Sequence, residues 1–190
     1  MDLAHTLDAG AIVLHLDLPW QSFEAEKDSR EHFFRYALKS FDELESYCKA
    51  LKIRICVENG YDAPPVHTHY MYDTLFGRYD PDYMGLCFDT GHANKMCKEN
   101  CLEYAEYYND RLFMIHIHDN HGENDEHLLP FTGSFDWEGF APLLARSPYR
   151  PPILIESMCK EAGDDSPWLE KALMAGSRFS AMVQKYRADF

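Results

Sequence analysis

The chain has 190 residues, of which 46% are apolar and 14% aromatic, so it can bury the core of one domain. Its formal net charge of −14 at pH 7 disfavours polyphosphate partners such as nucleic acids, because no basic patch in the sequence offsets it. The sequence has neither the ~20-residue apolar segment of a membrane-spanning helix nor the pattern of a secretory signal, so we expect one cytoplasmic domain, 1–190, with no membrane or nucleic-acid partner.

Five short apolar runs are spaced along the chain, and helical patterns lie between them. Their residues are aliphatic or β-branched on consecutive positions, which is typical of strands that are buried on both faces of a parallel sheet. The runs are AIVLHL at 11–16, IRICVE at 53–58, MGLCFD at 84–89, LFMIHI at 112–117 and PILIE at 152–156. Strands that alternate with helices favour parallel pairing through right-handed crossovers, so the predicted fold class is α/β.

Two of the helical patterns are regular. The first covers 27–51, where Asp28 and Glu31 form a capping-box pattern at the start. The second covers 166–187 and places these residues largely on one face: Leu169, Leu173, Phe179, Met182, Val183 and Tyr186. Less regular stretches are 66–79, which is ambiguous, 97–109 and 136–146.

Each of the five predicted strands carries a carboxylate or an imidazole at or near its C-terminal end. These residues are His15, Glu58, Asp89, His116 and Glu156. In a parallel α/β sheet this edge is where binding and catalysis take place, because loops and helix N-termini converge there. One buried His or Glu alone would indicate a hydrogen-bonded core residue, but five in equivalent positions indicate a shared site. Carboxylates that converge in a low dielectric repel one another, and a divalent cation neutralises them most simply.

Further ligand-type residues follow the third and fourth strands. His92 comes three residues after Asp89 in the motif DTGH, and the segment after the fourth strand contains Asp119, Asp125 and His127. Mixed Asp, Glu and His ligands suit Zn²⁺ or Mn²⁺, and no cysteine is placed to join them.

Four other histidines are interpreted as lying outside this ligand set. We expect His118 and His121 to be loop or outer residues, and we expect His67 and His69 in PPVHTHY to be solvated loop residues. The six cysteines form no CxxC pair and are expected to be reduced thiols.

The order VENG, FDTGHAN, IHIHDN with DEHLLP and DW, and then ILIES, resembles the xylose-isomerase-like TIM barrels. This superfamily contains sugar isomerases and epimerases, inosose dehydratases and the DNA-repair enzyme endonuclease IV. The resemblance covers nearly the whole chain, and it implies a central metal site formed by Glu58, Asp89, His116 and Glu156. It also implies that residues matching those of endonuclease IV bind more metal: His92, Asp125 and His127 for an additional ion, and His15 for another.

The sequence departs from the family pattern in two places. The usual glycine-rich PGxG appears here as PFTGSFDW, and the first three βα units of the barrel have no counterpart. Five strands fall short of the eight that close a TIM barrel, and 190 residues fall short of the roughly 250 typical of that fold. We therefore predict a partial (β/α)₈ barrel of about five parallel βα units, which corresponds to the C-terminal part of the fold. Truncation, a late start codon and a genuine short variant are equally compatible with it.

Three functions are compatible with this resemblance. The first is a divalent-metal-dependent sugar or polyol isomerase or epimerase, in which Glu58 and Glu156 exchange a carbon-bound proton next to a metal-polarised carbonyl. The second is a phosphodiesterase related to endonuclease IV, and the third is an inactive metal-binding remnant. The first is favoured over the second because the loops carry few basic groups for phosphate contacts, chiefly Arg78, Lys95 and Lys160. The expected substrate is an uncharged sugar or polyol.

An incomplete barrel has open edges. The first predicted strand, 11–16, would leave unpaired backbone groups and apolar surface where its neighbour is missing. Two-fold contacts are the commonest way in which soluble chains assemble. One alternative is that residues 1–10 fold across this gap. The favoured prediction is a homodimer that joins the two open sides, with the metal pocket near the subunit boundary and partly completed by the other chain.

Overall fold

The computed structural model describes residues 1–159 and 165–188, and it divides the chain into two compact units, Met1–Gly85 and Leu86–Phe190. Within the described residues, four parallel strands alternate with helices, which confirms the α/β class. The strands are β1 (Ala11–Leu14), β2 (Arg54–Glu58), β3 (Met84–Asp89) and β4 (Leu112–His116). The helices are α1 (Asp2–Thr6), α2 (Trp20–Ala25), α3 (Ser29–Leu51), α4 (Pro65–Arg78), α5 (Thr90–Cys97), α6 (Glu103–Tyr107), α7 (Trp137–Arg146) and α8 (Ser166–Arg187).

Some sequence-based expectations fall on less regular parts of the chain. The stretch 97–109 is not one helix, since α6 lies between two 3₁₀ turns, Lys98–Asn100 and Asn109–Arg111. Lys160 lies outside the described residues. Over 1–159 and 165–188, none of the helices combines the length and apolar character that a membrane crossing requires.

In the first unit, β1 and β2 form a parallel pair. Their register runs from Ala11 opposite Arg54 to Leu14 opposite Val57. β1 ends at Leu14, so His15 lies just beyond the strand. β2 is buried from its second residue onward, as the continuous apolar run predicts.

The long helix α3 packs one stripe into the first unit. Phe34, Phe41 and Cys48 are buried at seven-residue spacing, which is the inner face of an amphipathic helix. The predicted capping box does not form, because the side chain of Asp28 makes no capping hydrogen bond. The ψ angle of Asp28 is 2°, outside the extended conformation in which an N-cap oxygen reaches the first turn. The Ser29 hydroxyl instead donates to the Ser22 and Glu26 carbonyls, at 2.7 and 2.8 Å.

The sequence pattern left the secondary structure of 66–79 ambiguous, and the structure shows that α4, Pro65–Arg78, covers most of it. The helix begins at a proline, a residue that suits the first turn of a helix. His67 is therefore a buried helical residue, only 6% exposed, and the expectation of a solvated loop was wrong. Its ring packs against the rings of Trp20 and Phe23, with centroids 6.4 and 5.7 Å apart. His69 also lies in α4.

In the second unit, β3 and β4 form a parallel pair whose last register partners are Asp89 and His116. The fifth predicted strand, 152–156, contributes a single parallel bridge between Ile117 and Ile155, so the expectation of a full strand was wrong. Two hydrogen bonds flank this bridge, from Ile117 N to Leu154 O at 2.9 Å and from Glu156 N to Ile117 O at 3.0 Å. The segment begins with Pro152 and is preceded by Pro151, and neither residue has a backbone N–H to extend the ladder.

Helices α7 and α8 pack through aromatic side chains. The rings of Phe140 and Phe179 stack with centroids 5.5 Å apart, and Trp137 meets Phe179 edge to face at 5.2 Å. The bounds of α8 match the predicted 166–187. Leu169 and Leu173 are nevertheless 58% and 70% exposed, so they do not join the buried face that the periodicity predicted for them.

Candidate functional site

A carboxylate and an imidazole end the two paired strands of the second unit. Asp89 is the last residue of β3, His116 is the last residue of β4, and the two are register partners. Asp89 is fully buried, and its Oδ1 accepts a hydrogen bond from the backbone N–H of His92 at 2.7 Å. The strand ends therefore place two metal-type ligands next to each other, as expected at the C-terminal edge of a parallel sheet.

His116 pairs with Glu156 in the same unit. Its Nδ1 lies 2.8 Å from Oε2 of Glu156, whose side chain is 45% exposed. The hydrogen bond with His116 holds the pKa of Glu156 below its usual range, and this effect exceeds the opposing effect of burial. Glu156 is therefore an ionised, accessible carboxylate at neutral pH.

Five residues of the second unit form what we call the Asp–His cluster: Asp89, His92, His118, Asp125 and His127. His118 Nε2 lies 3.0 Å from Asp89 Oδ1 and 3.7 Å from Asp125 Oδ1. The Oδ2 atom of Asp125 lies 3.5 Å from His92 Nε2 and 3.2 Å from His127 Nε2. Two overlapping sets each have one ligand atom per residue within 4.8 Å of the others, Asp89 with His92 and His118, and His118 with Asp125 and His127.

The cluster shifts the pKa values of its own members. Burial alone would raise the pKa of Asp125, but the imidazoles of His92, His127 and His118 outweigh it and lower that pKa to about 2. Burial alone would lower the pKa of His118, but the hydrogen bond with Asp89 and the nearby negative charges raise it instead. The imidazoles around Asp125 thus favour its ionised form, as a bound cation would also do.

The donor atoms of the cluster fit a divalent ion. Within the described residues, His118 Nδ1 and Asp125 Oδ1 are buried and form no hydrogen bond, which is costly in an apolar interior. His127 Nδ1 donates to the backbone carbonyl of Glu156 at 2.7 Å, because a carbonyl oxygen can only accept. In the neutral ring, Nε2 of His127 then presents its lone pair toward Asp125. This tautomer is typical of metal-ligating histidines, whose other ring nitrogen binds a backbone carbonyl.

The small residues after β3 make room for the cluster. A Cβ atom at Gly91 would overlap the imidazole of His118, so this ring lies directly against the backbone of α5. The Thr90 hydroxyl donates to the His118 carbonyl at 2.6 Å and accepts from the His118 N–H at 3.0 Å. The motif DTGH therefore supplies a ligand, a hydroxyl that fixes the neighbouring segment, and the space for His118.

The loop after β4 brings Asp125 and His127 to the Asp–His cluster. Asp119 anchors this loop, since its carboxylate accepts hydrogen bonds from Phe135 N at 3.1 Å and Trp137 Nε1 at 2.9 Å. His127 has a φ of 50°, a left-handed conformation that histidine adopts more readily than branched residues. Its ring stacks on that of His118 with centroids 4.1 Å apart.

The remaining two predicted ligands lie together in the first unit. Glu58 ends β2 and is 3% exposed, and its Oε2 lies 2.9 Å from His15 Nε2. Both residues line a cavity of about 250 Å³ together with Asp17, Asp62 and Tyr61. Neither lysine nor arginine is among the residues that line this cavity.

Sequence reasoning missed His118. It is fully buried in the Asp–His cluster, whereas His121 is 63% exposed in its side chain and pairs with Glu126. A signal was available in the motif IHIH, because residues two apart in an extended segment point to the same side. His118 should therefore have been grouped with His116.

Comparisons with known proteins identify the family. Residues 1–177 match the family model described as xylose isomerase-like TIM barrel. The chain is 34% identical, over 188 residues, to the uncharacterized protein y4fM of Sinorhizobium fredii (strain NBRC 101917 / NGR234), covering 98% of this chain and 60% of that protein. It thus spans about three fifths of the length of this curated relative.

Solved structures share the fold. A D-tagatose 3-epimerase-like protein superposes with a TM-score of 0.74 at 18% identity, covering 99% of this chain and 67% of the other. The IOLI protein with a binding zinc atom gives a TM-score of 0.62 at 16% identity, covering 99% and 65%. With four parallel strands in the described residues, where a complete barrel has eight, the fold corresponds to part of these barrels. The chain belongs to the xylose isomerase-like TIM barrel family.

Proposed function

We propose that the protein is a divalent-metal-dependent sugar or polyol isomerase or epimerase, in which a carboxylate moves a proton at a carbon next to a carbonyl. The observation that carries this proposal is the pair His116 and Glu156, 2.8 Å apart beside the Asp–His cluster residues of the same unit. The second unit thus has an accessible carboxylate base, Glu156, close to side chains that can bind a cation.

Glu156 is the proposed base. Its lowered pKa keeps it ionised at neutral pH, and its side chain is exposed enough to reach a bound substrate. His116 contacts the Oε2 atom of Glu156, which leaves the Oε1 atom to accept a carbon-bound proton. Glu58 is the proposed second acid–base group; it is a buried carboxylate with His15 beside it, at a cavity that a small polyol can enter.

The proposed metal ligands are the strand-end residues Glu58, Asp89, His116 and Glu156, with His92, Asp125, His127 and His15 as candidates for further ions. A bound Zn²⁺ or Mn²⁺ would polarise the substrate carbonyl and stabilise negative charge on its oxygen. His118 belongs with these candidates because it contacts both Asp89 and Asp125. The names of similar proteins support this proposal, since they include an L-ribulose 3-epimerase and a zinc-bound protein.

The proposal is tested by two measurements on the same protein. Metal content is measured after purification without chelator, and ketoses and inososes are then screened for exchange of a carbon-bound hydrogen with deuterium from the solvent. We expect stoichiometric Zn²⁺ or Mn²⁺ and exchange with at least one uncharged substrate. Glu156→Gln should abolish the exchange, whereas Glu126→Gln, a change of the same kind at a loop residue, should keep it.

A phosphodiesterase related to endonuclease IV is the second candidate. The observation in its favour is that Asp125 lies beside both His92 and His127. The net charge of −14 opposes binding to a DNA backbone. Cleavage of DNA at abasic sites, without exchange on any sugar, would favour this candidate, and a protein that binds no metal and shows neither activity would contradict both enzymatic functions.

A further inference from the structure

The segment that carries Glu156 is joined to the sheet at one point. Within the part of the chain that the structure describes, 152–156 forms a single parallel bridge, between Ile117 and Ile155, instead of a strand. The Glu156 N–H donates to the Ile117 carbonyl at 3.0 Å, and this is the last contact of the bridge along the chain. Contacts outside the sheet therefore decide where the chain runs beyond the proposed base.

Three hydrogen bonds join the chain at and after Glu156 to the loop that follows β4. His127 Nδ1 donates to the Glu156 carbonyl at 2.7 Å, and the Met158 N–H donates to the His127 carbonyl at 2.9 Å. Between these two, the Ser157 hydroxyl donates to the Leu128 carbonyl at 2.7 Å. We call these three hydrogen bonds the Ser157 clamp, because Ser157 contributes the one side chain in it that is not a candidate metal ligand.

The loop side of the clamp is itself fixed to the chain after β4. Asp119 and Leu128 form an antiparallel bridge, in which each backbone N–H donates to the other residue's carbonyl at 2.9 Å. The Leu128 carbonyl thus accepts from both Asp119 N and the Ser157 hydroxyl. Asp119 is fully buried. The clamp therefore ties the segment of Glu156 to a part of the loop that is held in the interior of the second unit.

The clamp also connects Glu156 to the Asp–His cluster through one imidazole. His127 donates from Nδ1 to the Glu156 carbonyl, and its Nε2 lies 3.2 Å from Asp125 Oδ2 in the cluster. Its ring stacks on the ring of His118 with centroids 4.1 Å apart. A ligated imidazole whose other nitrogen is hydrogen-bonded has a fixed orientation. An ion held at Nε2 would therefore stabilise the hydrogen bond from Nδ1 to the backbone of Glu156.

We propose that Ser157 and His127 position Glu156, and that a metal ion in the Asp–His cluster stabilises the clamp that does so. This inference rests on the proposed function, which makes Glu156 the base. Ser157 acts as a positioning residue, since its hydroxyl holds the backbone next to Glu156, whose side chain contacts His116. Displacement of a reacting group by ~1 Å can cost ~100-fold in rate, so the clamp bears on catalysis through geometry alone.

The first experiment needs no substrate and measures hydrogen exchange at the Met158 amide by NMR, in the metal-depleted full chain with and without Zn²⁺. Exchange at this amide requires its hydrogen bond with His127 to open. We expect Zn²⁺ to slow it by ~10-fold or more in the natural chain. The rate is compared with that of the buried Val183 amide in α8, so that a general gain in stability is not counted.

The same measurement is made on three variants. Ser157→Ala should lose most of the Zn²⁺ effect at the Met158 amide, whereas Ser157→Thr, which keeps a hydroxyl, should retain it. Ser177→Ala, at an exposed position of α8, is the matched control and should behave as the natural chain does. Circular dichroism establishes that the variants keep their helices. Exchange that Zn²⁺ leaves unchanged in the natural chain, or slows equally in Ser157→Ala, would overturn the proposal.

The second experiment uses a substrate found in the deuterium-exchange screen. Ser157→Ala should lower kcat by ~10 to 100-fold while KM and Zn²⁺ content stay close to the natural values, and Ser157→Thr should restore most of the rate. A kcat that Ser157→Ala leaves unchanged would overturn the positioning role and leave the proposed function intact. If no substrate reacts with the natural chain, the proposed function fails, and the Met158 amide still decides whether the clamp responds to metal.

Discussion

Gly91 and His118 are in direct contact, although they come from different segments of the second unit: the Cβ atom that any other residue would add at position 91 overlaps the imidazole of His118. The glycine of the DTGH motif therefore provides space for a ligand-type side chain that the motif itself does not contain. We therefore expect a substitution at Gly91 to change metal binding, although Gly91 is not itself a ligand.

Gly91→Ala should displace the His118 ring and weaken binding of Zn²⁺ or Mn²⁺ by ~10 to 100-fold, as for other residues that orient metal ligands. Isothermal titration of metal-depleted protein measures the change. Gly77→Ala is the matched control, because a Cβ at this helical position meets nothing within 4 Å. The control should leave metal affinity unchanged and stabilise α4 by up to ~1 kcal/mol. Equal affinities for the two variants would show that His118 takes no part in metal binding.

His118→Ala should lower metal affinity at least ~10-fold, because it removes a buried nitrogen that contacts both carboxylates of the cluster. His121→Ala, three residues further along the chain, should leave the affinity unchanged, since this side chain is exposed and pairs with Glu126. Competition with a chromophoric chelator compares the two variants under identical conditions. A larger loss for His121→Ala than for His118→Ala would contradict the proposed ligand set.

Asp119→Ala should reduce the free energy of unfolding by about 3 kcal/mol or more, because it leaves buried N–H donors of the loop and of Trp137 without an acceptor. The carboxylate accepts from Asn120 N, Phe135 N and Trp137 Nε1. Urea unfolding followed by tryptophan fluorescence measures the loss. Asp110→Ala, at an exposed position, should change stability little. A loss no greater than that of the control would mean that the loop is held by other contacts.

Asp42→Asn should reduce stability at neutral pH and have little effect in acid. Arg78 donates to both oxygens of Asp42, at 2.9 and 2.7 Å, and Tyr79 donates at 2.8 Å. The bond with Arg78, followed by that with Tyr79, holds the pKa of Asp42 below its usual range. A depressed folded-state pKa contributes stability above the unfolded value of ~3.9, and this contribution is lost as the pH falls through the folded value.

The difference in unfolding free energy between the natural chain and Asp42→Asn should therefore be largest at pH 6 to 7 and shrink below pH ~4. Denaturant unfolding at a series of pH values measures it, with Asp110→Asn as the control. A difference that grows in acid would have the wrong sign and would rule out the depressed pKa as its cause.

Local pattern was sufficient to predict β3 and α8, because a continuous apolar run and a long 3.6-residue periodicity are properties of neighbouring residues. The family resemblance, which depends on short motifs in a given order, also followed from the sequence and agrees with the family match over 1–177. Leu169 and Leu173 show the limit of periodicity, since the pattern defines a face but not whether another element covers it.

The membership of the Asp–His cluster was decided only by the tertiary structure. His118 enters it because Gly91 leaves room for its ring, and Asp125 and His127 reach it because Asp119 fastens the loop between them and α7. The sequence determined which residue types follow each strand. Which of those side chains meet depends on backbone conformation and on close packing between segments far apart in the chain, and neither can be read from local spacing.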